Sequence, residues 1–155
     1  ENRMASALAR HYPGGRSAFI RAMNNKARQL GMRNSRFYDS TGLSTRNVST
    51  ARDLAKLITA AYRQPLIRQF TQDTNKEMRF STPAYSLMFN NTNPLVKNPD
   101  WDVRLSKTGY TDEAGRCLLM RAKPDRQELA IVLLNSVGKR TPIGDANRIR
   151  KWLKS

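Results

Sequence analysis

Six apolar residues in a row, Leu129-Ala130-Ile131-Val132-Leu133-Leu134, set the tightest constraint on what this chain can fold into. An uninterrupted run of this length suits a strand buried on both faces. Upstream, Val103 and Leu105 alternate with Arg104 and Ser106, the period-two signature of a strand. Thr111-Asp112-Glu113-Ala114-Gly115 reads as a hairpin turn and Cys117–Ala122 as the return strand. Pro124-Asp125 then turns the chain into the apolar run. Three antiparallel strands ending in so apolar a member would leave an unpaired, aggregation-prone edge. The sheet is therefore expected to take further strands from elsewhere.

The first half reads as helical. Met4, Ala5, Leu8 and Ala9 share one helical face, and Tyr12-Pro13-Gly14-Gly15 breaks it. Ser17 is placed to cap a second helix with a stripe of Ile20, Met23, Ala27 and Leu30, stopped by Gly31. Residues 32–49 are rich in Ser, Thr, Asn and Gly and read as an irregular loop. Thr50-Ala51-Arg52-Asp53 is a capping-box variant with Asp where Glu is usual. Leu54, Leu57, Ile58 and Ala61 continue that helix to Gln64-Pro65, and a short helix runs on to about Phe70. Lys76–Ser81 and Tyr85–Phe89 are two short strands around Thr82-Pro83, followed by the turn cluster Asn90–Pro94. Pro142 opens a last helix at its favoured first-turn position, with Ala146, Ile149 and Leu153 as its stripe. The pattern is an α+β domain.

A net charge of +16 over 155 residues draws attention to anionic partners: nucleic acid, anionic lipid or acidic polymers. The basic residues are spread along the chain, which reads as a solvated basic surface. A nucleic-acid footprint would want a localised stripe or a known module. No run of 18 apolar residues predicts a transmembrane helix. Glu1-Asn2-Arg3-Met4 has neither the apolar stretch nor the cleavage site of a signal peptide. The single cysteine, Cys117, excludes an intrachain disulfide and a cysteine-based metal site, and reads as a buried, inert thiol. His11 reads as a helix-end cap, Trp101 and Trp152 as packing residues. No metal site and no cofactor are expected.

Lys107-Thr108-Gly109 is a weak signal as three letters. Its setting gives it weight, because it closes a strand and a hairpin returns at once. Penicillin-binding proteins and serine β-lactamases share this layout, with the set Ser-x-x-Lys, Ser-x-Asn and Lys-Thr-Gly. The segment Lys107-Thr108-Gly109-Tyr110-Thr111-Asp112-Glu113-Ala114-Gly115-Arg116-Cys117-Leu118 strongly resembles the low-molecular-mass D-alanyl-D-alanine carboxypeptidase and endopeptidase family. Thr41-Gly42-Leu43 with Ser49–Asp53 forms a second block, and Asn91-Thr92-Asn93-Pro94-Leu95 a third. The resemblance covers essentially all 155 residues. Gly115-Arg116-Cys117-Leu118 is most similar to the endopeptidase branch. One departure agrees with that: the carboxypeptidase relatives are expected to carry Arg after a glycine beyond the last strand, whereas Gly144 is followed by Asp145.

The resemblance implies a penicillin-binding, serine β-lactamase-like transpeptidase domain, a five-stranded antiparallel sheet between helical layers. Residues 1–155 would be the C-terminal part of that catalytic domain, supplying three strands and the last helix. The N-terminal portion of the same enzyme would supply two strands and the nucleophile helix. A Ser before Glu1 would make Asn2 the third residue of Ser-x-Asn. Ser136-Val137-Gly138-Lys139 fits the Ser-x-x-Lys spacing, but Gly138 and Pro142 argue for a loop, whereas the chemistry needs Ser and Lys one helical turn apart. The chain by itself is then expected to be inactive. By resemblance, Lys107 would set positive charge beside the substrate carboxylate and Thr108 would donate to it. Gly109 would let the substrate backbone approach, and the Tyr110 N–H would form half of an oxyanion hole. Asn2 would bind a substrate amide or hold the active-site lysine. The expected substrate is the peptide of peptidoglycan, with β-lactams as inhibitors and a periplasmic location. No nucleic acid and at most loose membrane association are expected. Two other readings stay open: a basic nucleic-acid-binding module, supported by charge alone, and a non-catalytic relative that only binds peptidoglycan.

Overall fold

The computed structural model describes residues 2–155. Helices come first: α1 (Asn2–His11), α2 (Gly15–Gln29), α3 (Ala51–Tyr62) and α4 (Pro65–Gln72). Two sheets follow. Strands β1 (Asn75–Ser81) and β2 (Ala84–Asn90) form a separate antiparallel hairpin. Strands β3 (Val103–Thr111), β4 (Gly115–Ala122) and β5 (Leu129–Ser136) form an antiparallel sheet in that order. Short 3₁₀ turns at Pro94–Lys97 and Pro99–Trp101 lead into β3, and α5 (Thr141–Lys154) closes the chain.

Alternation along β4 assigns the two faces of the larger sheet. Leu118, Met120 and Ala122 point to one side and pack with Leu95, Trp101, Ile131 and Ala146, the last from α5. Val103, Leu129, Leu133, Ile143 and Ile149 surround this core. Leu119 and Arg121 point to the other side, where α3 lies against the sheet. The Arg121 guanidinium sits 4.2 Å from the ring centroid of Tyr62, the last residue of α3.

Several expectations are corrected. β5 is not buried on both faces: only Ile131 is buried and Leu134 stays 38% exposed, and among the described residues β5 pairs with β4 alone. α2 starts at Gly15 rather than at a Ser17 cap, because Gly14 in a left-handed conformation redirects the chain two residues earlier. On α1 only Ala9 is buried, and Met4 and Leu8 of the predicted apolar face are exposed. Thr50 caps α3 as expected, its hydroxyl accepting from the Asp53 N–H at 3.2 Å. The Asp53 carboxylate does not complete the box. It accepts from the Asn34 N–H (2.8 Å) and the Ser35 hydroxyl (2.9 Å) and pairs with Lys56, tying the 32–49 loop to α3. Trp101 is fully buried, but Trp152 is 72% exposed and packs little. Cys117 is half-buried rather than enclosed.

Candidate active site on strand β3

β3 is an outer strand, so one of its edges is free for a further partner among the described residues. Its first half is covered. α4 packs along it, and Gln72 donates from its side-chain amide to the Arg104 carbonyl at 2.8 Å. The second half carries Lys107, Thr108, Gly109 and Tyr110, with Lys107, Gly109 and Tyr110 exposed. Opposite them on β4 stand Leu119, Leu118, Cys117 and Arg116.

Each of the four has a defined surrounding. The Lys107 amine is turned onto the Thr108 carbonyl. Crowding by neighbouring atoms removes part of its hydration and pulls its pKa below the ordinary lysine value of 10.5. The side chain as a whole still reaches solvent. The Thr108 hydroxyl shares a short hydrogen bond with that of Thr92. A Cβ placed on Gly109 would meet nothing within 4 Å, so the space beside the strand is open. The Tyr110 phenol donates to Asp112 at 2.6 Å, and the Arg116 guanidinium stacks 4.2 Å from its ring centroid. The bond to Asp112, with its negative charge, raises the phenol pKa.

Thr92 is the residue that the motif reading overlooked. Its block carries part of the family resemblance, but nothing in a linear sequence says that Asn91-Thr92-Asn93 lies alongside β3. Two side-chain amides put it there. Asn91 Nδ2 donates to the Thr71 and Asp73 carbonyls at the end of α4, both at 3.1 Å. Asn93 is buried; its Nδ2 donates to the Ser106 hydroxyl at 2.9 Å and its Oδ1 accepts from the Leu95 N–H. Ser106 directly precedes Lys107, so the loop and the motif strand are held as one unit.

The remaining candidates fall elsewhere. Asn2 opens α1, is exposed, and belongs to a helix whose main packing is against α2. No extensive packing joins α1 to β3 among the described residues. Ser136 ends β5, and Val137–Lys139 lie in the connection before α5, so that Ser-x-x-Lys is not helical. His11 sits in the last turn of α1, its Nδ1 2.9 Å from the Ala7 carbonyl oxygen. No group of three metal-ligating side chains occurs among the described residues.

The sequence matches the D-alanyl-D-alanine carboxypeptidase family over residues 1–138. The chain belongs to this family. It is 50% identical over all 155 residues to a D-alanyl-D-alanine endopeptidase of Escherichia coli K12, and 48% identical to one of Pseudomonas aeruginosa. In both cases it covers 50% of the relative, so the chain spans about half the length of the curated relatives it matches. The crystal structure of the Streptomyces K15 DD-transpeptidase superposes with a TM-score of 0.87 at 27% identity, over 96% of this chain and 60% of that one. The α+β fold is thus that of the DD-transpeptidases. Within the family, the free edge of β3 is the candidate active-site wall.

Proposed function

We propose that this chain is the substrate-holding part of a serine D-alanyl-D-alanine peptidase, and that the whole enzyme cuts peptide cross-links in peptidoglycan. The observation that carries the reading is the free edge of β3, where the Lys107 amine, the Thr108 hydroxyl and the open space at Gly109 occur together. The 48% and 50% identities to proteins named as endopeptidases support the endopeptidase assignment over the carboxypeptidase one. Asp145 after Gly144 points the same way.

In the proposed reaction a serine hydroxyl attacks the carbonyl of a D-alanyl peptide bond. Its proton goes to a neighbouring lysine amine, the C–N bond breaks with the proton passed to the leaving amine, and an ester-linked acyl-enzyme remains. Water then attacks the ester and frees the serine. No helical Ser-x-x-Lys occurs among the described residues. In this reading the nucleophile belongs to the N-terminal portion of the enzyme. Lys107 supplies positive charge beside the substrate carboxylate, and Thr108 donates to that carboxylate. Gly109 leaves room for the peptide to lie along β3. The Tyr110 N–H is half of the oxyanion hole, a donor whose loss typically costs about 10²–10³ in rate. By the family resemblance Asn2 would complete a Ser-x-Asn element and bind a substrate amide or hold the active-site lysine. β-Lactams would acylate the same serine, and the work would be done in the periplasm. No described helix is long and apolar enough to cross a membrane.

The test is labelling of the full-length protein with fluorescent penicillin, together with digestion of purified cross-linked muropeptides. A covalent adduct and conversion of dimers to monomers are expected. A folded full-length protein that takes no label would refute the peptidase reading.

A further inference from the structure

The fold gathers what the sequence scatters. Between Asn2 and Tyr38 the chain has eight Lys and Arg residues and no Asp or Glu. α2 and the loop after it enclose a groove of about 740 Å³. Arg21 and Arg28 from α2 and Arg33 and Arg36 from the loop line its walls. All four are exposed, and none forms an ion pair among the described residues. Arg28 donates to Asn25, a neutral partner.

The groove is held open by its own frame. Asn24 of α2 clasps the loop at Phe37, donating to its carbonyl at 2.7 Å and accepting from its N–H at 2.9 Å. Val48 exchanges two backbone hydrogen bonds with Arg36. The nearest acids do not offset the charge. Asp39 is buried, satisfied by Thr41, Gly42, Ser44 and Asn47. Asp53 lies behind the loop, buried, and pairs with Lys56. No residue of β3 lines the groove. Four exposed guanidiniums without counter-charge, lining one concavity, suit a ligand carrying several spaced anions.

We infer that this groove is a second binding site of the enzyme, which grips carboxylates on the peptide stems of the wall polymer away from the reacting bond. The inference rests on the proposed peptidase function and adds a role for the basic surface. It predicts a split between polymeric and small ligands. Carboxylates on an insoluble polymer engage both β3 and the groove, and the second contact raises retention without touching the chemistry. A small penicillin engages β3 alone.

The experiment uses the full-length protein, with R21Q/R28Q/R33Q/R36Q and the milder pair R33Q/R36Q. Binding to purified insoluble peptidoglycan is compared with binding to the same polymer after its carboxylates are amidated, alongside acylation by fluorescent penicillin. The fourfold variant should bind the untreated polymer about 10-fold more weakly, as expected for four exposed charge contacts. The pair should lie between it and the wild type. Acylation should be unchanged in both, which also reports an intact fold. The wild type should lose the same affinity on the amidated polymer. Wild-type retention by both variants would overturn the inference, as would equal binding to the amidated polymer. So would a loss seen only on anionic phospholipid vesicles. A wild type that binds the polymer through these arginines but takes no penicillin would sink the peptidase reading and leave the groove.

Discussion

The molecule contains two antiparallel sheets whose fates differ. β1 and β2 pair in register over seven positions, from Asn75↔Asn90 to Ser81↔Ala84, yet only Phe80 and Phe89 are even partly buried. Its end is closed by Phe80 and Tyr85, stacked at 4.5 Å. β3, β4 and β5 pair no better, but α5 covers one face and α3 the other, and Trp101, Leu118, Met120 and Ala122 are almost wholly buried. Backbone pairing is the more regular in the hairpin, since the larger sheet shifts register at Val103/Leu105 and at Arg116/Leu118; burial is what the hairpin lacks. The candidate site sits where the covered sheet presents a rigid but open edge, because a rigid edge holds donors in place and an open one admits a ligand.

The largest expected effect lies in the covered sheet. In the full-length protein, Trp101→Ala should cost about 3–5 kcal/mol, since it empties the largest buried side chain of the core. Its Nε1 donor to Asn147 is lost as well. Denaturant unfolding checks this, and a cost below about 1 kcal/mol would break the contrast with the hairpin.

Next is the β3–β4 turn. Gly115 has φ +62°, and a Cβ there would come within 3.0 Å of Asn135 backbone atoms. Gly115→Ala should cost about 1–3 kcal/mol through strain and displacement of β5. A thermal melt indistinguishable from wild type would show that the turn yields freely.

The third test concerns pH. Burial pushes the Asp39 and Asp53 carboxyls up, but their hydrogen bonds, with Lys56 for Asp53, hold both below the ordinary aspartate value of 3.8. Their contribution to stability is therefore full above pH 3.8 and lost as pH falls through the lower folded values. Amides of residues 34–48 should lose hydrogen-exchange protection in that window before those of β4 do. The reverse order would contradict the assigned role of these carboxylates.

The smallest effect belongs to the hairpin. Met88 is 58% exposed, so Met88→Ala should change stability by less than about 0.5 kcal/mol. A larger loss would mean that the hairpin's apolar side chains are covered in the full-length protein.

Much of this was legible in the sequence. Both hairpins, the Thr50 cap, the Gly31 stop and the α5 stripe follow from local chemistry, and each appears within about two residues of its expected place. The motif strand was legible because its resemblance spans three blocks in order. What failed depended on neighbours. The apolar run of β5 reads as doubly buried, but burial is decided by what packs on each face, and along β5 only Ile131 is buried. Met4 and Leu8 read as a core face, but a helix face is buried only where something packs on it. Thr92 and the basic groove were illegible for the same reason: contacts across 16 residues, and arginines from two elements, meet only in the fold.

The central claim is that Lys107-Thr108-Gly109 holds a ligand rather than merely completing a strand. Gly109→Ala in the full-length protein tests it most directly. The space at Gly109 is open, so the fold itself has nothing to lose. The measurement is the rate of acylation by fluorescent penicillin alongside the melting temperature. An unchanged melting temperature with acylation slowed about 10-fold or more is predicted, as a methyl group intrudes where the ligand backbone should lie. Wild-type acylation in a stable Gly109→Ala protein would contradict the account.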